Sequence, residues 1–81
     1  MDKLSRPQVT VIDFARTIST IFVEIKGYDQ VADKNFHDHV KFLGRRLYGD
    51  IIHSEKSTLS PECRLFVEDN LNEKYKDGYF E

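Results

Sequence analysis

Residues Val9 to Ile25, VTVIDFARTISTIFVEI, decide the fold, because one string supports two periodicities. Taken at three- and four-residue steps, Val11, Phe14, Ile18, Phe22 and Ile25 make one apolar stripe, and Asp13, Arg16, Thr17, Thr20 and Glu24 fall opposite it. That is the pattern of an amphipathic helix. The competing reading is a strand pair, since Val9-Thr10-Val11-Ile12 and Ile18 to Ile25 are rich in β-branched residues. The coherent polar stripe favours the helix, because propensity is readily overridden by tertiary context. Ser5 and Gln8 offer a capping box, Pro7 suits a first turn, and Gly27 supplies a stop, so the first helix spans about 6–26.

A second helix follows over about 30–48, nucleated by Asp29 or Asp33 and ended by Gly49. Its seam is Phe36, Val40, Leu43 and Leu47, with Lys34, Asp38, Lys41 and Arg45 on the far side and Gly44 placed for close helix approach. Residues 50–59 form a connector in which Asp50 begins a short turn and Ile51 and Ile52 plug the core. Ser60-Pro61-Glu62 then gives an N-cap, a proline at the first helical position and an acid in the first turn. Cys63, Phe66, Val67, Leu71 and Tyr75 carry the apolar side of this third helix, about 61–77, which Gly78 closes. The expected fold is therefore all-α: a single helical domain over 1–81, a three-helix bundle with a short fourth helix in the connector as a variant. The runner-up is α+β, with residues 9–25 as strand.

Eighty-one residues leave room for one thin core, which nets about 3–5 kcal/mol unless a disulfide, metal or partner assists. The lone Cys63 cannot form an internal disulfide, so association is the remaining aid. The net charge is −2, distributed as about +1 over residues 1–50 and −3 over 51–81, and the acidic end argues against nucleic acid as its contact. Met1 to Pro7 lacks the pattern of a signal peptide, and the apolar stretch 9–25 holds Asp13, Arg16 and Glu24, so no membrane span is expected. One cysteine and no targeting segment point to a reducing, cytoplasmic location.

No assembled chemistry is evident. His37 and His39 form an H-x-H pair that would chelate a metal from one face of a strand but diverges by about 200° on a helix. Cys63, in register with Val67 and Leu71, reads as a small core hydrophobe. The glycines are isolated and make no phosphate cradle. The expectation is no enzyme, no metal and no cofactor. What remains is an apolar surplus beyond three helical stripes, with Ile12, Val23 and Phe42 as candidate partner anchors and Lys41, Arg45 and Arg46 as a charged rim. The functional expectation is a small protein-binding module that binds another protein or itself. By size and class it would be an inhibitor or modulator of the antitoxin-like, immunity-like or phage-accessory kind. The alternative is a nucleic-acid-binding regulator using the basic edge formed by Lys34, Lys41, Arg45 and Arg46.

Overall fold

The computed structural model describes residues 7–81. Among them are β1 (Gln8–Arg16), β2 (Thr20–Asp29), β3 (Lys34–Leu43), β4 (Arg46–Tyr48), a 3-10 turn over Asp50–Ile52, and α1 (Pro61–Lys76). The strands form one antiparallel sheet in chain order, β1-β2-β3-β4. This overturns the all-α bundle: among the described residues, β1 to β4 occupy the segments read as the first two helices, and of the three expected helices the third alone is present. The α+β alternative comes nearer, because residues 9–25 do form a strand pair, but it too kept 30–48 helical. The Ser5 cap lies outside the described residues.

A bulge counterfeits the helical stripe. Val9 and Val11 face the core two residues apart, as a strand requires. The β1–β2 register then shifts between Val11 and Asp13, making Ile12 an extra residue, so the next core-facing side chain is Phe14, three positions on. Ile18, the stripe's centre, is at the tip of the β1–β2 turn and fully exposed. In β3 the alternation Phe36, Asp38, Val40, Phe42 is regular, but the inward Asp38 hides it and leaves an apparent four-residue step from Phe36 to Val40. Gly44 is in no helix. It has φ 62 at the first of two loop positions between paired Leu43 and Arg46, where a tight hairpin wants glycine.

The inner face of the sheet gives Val23, Ile25, Phe36, Val40 and Phe42 to one core, against Cys63, Val67 and Leu71 of α1, with Ile51, Ile52, Leu59 and Phe80 closing the ends. Each large side chain so buried contributes about 1.5–3 kcal/mol. Phe42 packs on Tyr75 and Phe80 at ring-centroid distances of 4.8 and 5.6 Å. Gly27 is no helix stop but a strand residue beneath Phe36: a Cβ there would lie 2.4 Å from that ring and 2.0 Å from the Gln8 carbonyl oxygen.

One buried carboxylate joins sheet to helix. Asp29, fully excluded from solvent, accepts from Ser60 N at 2.7 Å and Ser60 Oγ at 2.8 Å, and from Val31 N and Ala32 N at 3.1 and 3.2 Å in the β2–β3 turn. Ser60 Oγ in turn accepts from Cys63 N, capping α1. Burial pushes the Asp29 carboxyl up, but the hydrogen bonds from Ser60, Ala32 and Val31 outweigh it and hold the group below its ordinary 3.8.

Candidate functional site

With α1 covering one face, the other face of the sheet is open among the described residues, and pleat alternation aligns its side chains in rows across the strands. The first row is Gln8, Tyr28 and Asn35, followed by Thr10, Lys26 and His37. Beyond the bulge come Asp13, Glu24 and His39, then Ala15, Phe22, Lys41 and Tyr48 across all four strands. Phe22 is 50% and Tyr48 40% exposed, and they stand on either side of Lys41. A shallow cleft of about 420 Å³ opens beside them, lined by Phe22, His39, Lys41, Tyr48, Asp50 and His53 among others.

The two histidines share this face. Their rings are 6.2 Å apart and inclined by only 29°, and His37 Nε2 lies 2.6 Å from Glu24 Oε2. Glu24 is directly opposite both Asp13 on β1 and His39 on β3. Two carboxylates and two imidazoles are thus neighbours, although among the described residues no three such groups already converge on one point. At the far end of the face the Tyr28 hydroxyl donates to Asp33, a bond that raises the phenol pKa above its ordinary 10.0 and keeps the hydroxyl a donor.

The partner anchors expected from sequence are scattered. Val23 and Phe42 are 1% and 0% exposed and belong to the core, so neither offers a surface; their burial follows from strand alternation, which places both toward α1. Ile12, at the bulge, is 45% exposed. Lys41 is on the outer face, Arg45 in the β3–β4 loop and Arg46 at the start of β4, so these three do gather at one end. Lys34 opens β3 seven residues before Lys41, about 23 Å away at strand rise, so Lys34 does not share one edge with Lys41, Arg45 and Arg46. The exposure of Phe22 and Tyr48 was not read from the sequence. Phe22 was absorbed into the supposed helical stripe, and only knowledge of the strand register would have turned it outward.

Cys63 is buried, its Sγ 3.8 Å from the Tyr28 carbonyl oxygen, and burial together with the nearby Asp29 charge pushes its pKa up to about 11. A thiol so held is a poor nucleophile. Among the described residues no helix is long and apolar enough to cross a membrane. No family model, curated protein or solved structure matches the chain.

Proposed function

We propose that the chain is a protein-binding module that docks a partner protein against the outer face of its sheet and modulates it by masking the surface it engages. One observation carries this reading: the row Ala15, Phe22, Lys41, Tyr48 sets two half-exposed aromatic rings around a lysine on a face that no other described element covers. Aromatic anchors beside a cation, next to a cleft that can take a reciprocal side chain, are the composition of an interface centre. Arg45 and Arg46 lie at the same end and favour a partner with an acidic rim.

The test pairs two surface variants of equal character. Phe22→Ser with Tyr48→Ser removes the outer-face anchors, whereas Leu65→Ser alters the exposed side of α1, where Leu65 is 51% exposed. Proteins retained by the immobilised wild-type chain should persist with Leu65→Ser and be lost with the double variant, at unchanged circular dichroism. Equal retention by both variants refutes the reading. Light scattering of the isolated chain identifies self-association, and retention of nucleic acid that collapses with salt would transfer the face to a different class of partner.

A further inference from the structure

We infer that His37, His39 and Glu24 form a binding site for one divalent transition-metal ion of the zinc, nickel or copper class, on the outer face of the sheet. The inference does not rest on the docking reading. Its foundation is the strand itself: at i and i+2 both imidazoles project from one face, and the 6.2 Å between ring centroids is within a side-chain rotation of a shared ion. Glu24 supplies the third donor. It is directly opposite His39 in the ladder and already reaches His37 Nε2 at 2.6 Å, so its carboxylate touches one histidine and its strand position faces the other.

A second observation points independently to a cation. Asp13 and Glu24 are direct cross-strand neighbours, and like charges so placed are destabilising unless positive charge is supplied nearby. Lys26 pairs with His37 in the next row and Lys41 with Phe22 in the row beyond, so each flanks the cluster and neither is between the carboxylates. Hard cations need many oxygen ligands and would find two carboxylates here. Imidazole donors reverse the preference: two histidines and one carboxylate match the ligands of open zinc sites, leaving a fourth position toward solvent. Closing the site exchanges the His37–Glu24 bond for metal bonds. Since the imidazoles must be neutral to ligate, acidification should release the ion.

Calorimetric titration of the untagged chain with zinc chloride should give one ion per chain. His37→Gln and His39→Gln should each weaken binding at least about tenfold, as even indirect disturbance of a metal site costs about 10–100-fold. Magnesium chloride should give no saturable heat, and His53→Gln, whose ring Nδ1 is taken by Glu55 N, should leave zinc affinity unchanged. In the wild-type imidazole nitrogen spectrum, zinc should shift the His37 and His39 signals and leave that of His53 in place. Absence of saturable zinc binding, retention of full affinity in either glutamine variant, or an unmoved pair of signals overturns the site. The Phe22→Ser, Tyr48→Ser variant should still bind zinc, so failure of docking and failure of metal binding are read separately.

Discussion

Replacing Asp29 by Asn tests whether one carboxylate ties the helix to the sheet. The side chain accepts four hydrogen bonds and is wholly buried. Bonds to an ionised acceptor are worth about 1.5–3 kcal/mol each, which would total more than 6 kcal/mol, but removing a carboxylate from water costs several kcal/mol in return. The asparagine keeps one acceptor oxygen and turns its NH₂ toward one of the Ser60 donors, leaving at least one buried donor facing another. The expected loss is about 2–3 kcal/mol. A chain of this size holds about 4–12 kcal/mol in all, so the change is a large fraction of the total. In urea unfolding followed by circular dichroism the midpoint should fall with the slope unchanged, and thermal melting should drop by roughly 8–24 °C. The pH profile gives a second readout. Because the folded carboxyl titrates below the unfolded 3.8, its stabilisation is fully present above that pH and is lost as pH falls through the folded value; the asparagine variant should lack this component. Ser60→Ala should cost about 1 kcal/mol in the wild type through loss of the cap, and less in the Asp29→Asn background. A loss below about 0.5 kcal/mol for Asp29→Asn, or strict additivity with Ser60→Ala, refutes the argument.

Gly27→Ala should destabilise the chain by about 1–3 kcal/mol or more in the same urea assay, because the new methyl meets the Gln8 carbonyl and the Phe36 ring inside contact distance; an unchanged midpoint would show that β1 is not held against β2 there. Cys63 should react with a thiol reagent at pH 8 only at the rate set by unfolding, since its thiol is buried with a pKa of about 11; rapid modification of the native chain would contradict that placement.

What could be read from the sequence was what is specified locally. The third helix was legible because Ser60, Pro61 and Glu62 act within a single turn, and α1 begins at Pro61 with Ser60 Oγ accepting from Cys63 N. Gly78 likewise has φ 81 just beyond the helix, as a terminating glycine should. Ile51 and Ile52 were legible as a core plug because an apolar pair between polar stretches has nowhere else to go, and both are buried.

The sheet was not legible because two defects act in the same direction. The bulge at Ile12 lengthens one period of β1 from two to three, and Asp38 erases one apolar beat from β3, so both strands imitate a helix at three- and four-residue spacing. Strand pairing, which resolves the ambiguity, is a relation between distant residues and leaves no mark in a window of either segment alone. The expected placement of Val23 and Phe42 on the surface follows from the same source. With helical period, Val23 and Phe42 are surplus and Phe22 is spent; with strand period they exchange sides, so the apolar surplus moves from the supposed backs of two helices to one row on the open sheet. The histidine pair obeys identical logic, since H-x-H has meaning as a chelate only at a period of two. The helix reading thus judged the pair by a divergence that applies to a helix, whereas both histidines stand on β3. Loss of zinc binding on disruption of either histidine would therefore test the strand register of β3 together with the site.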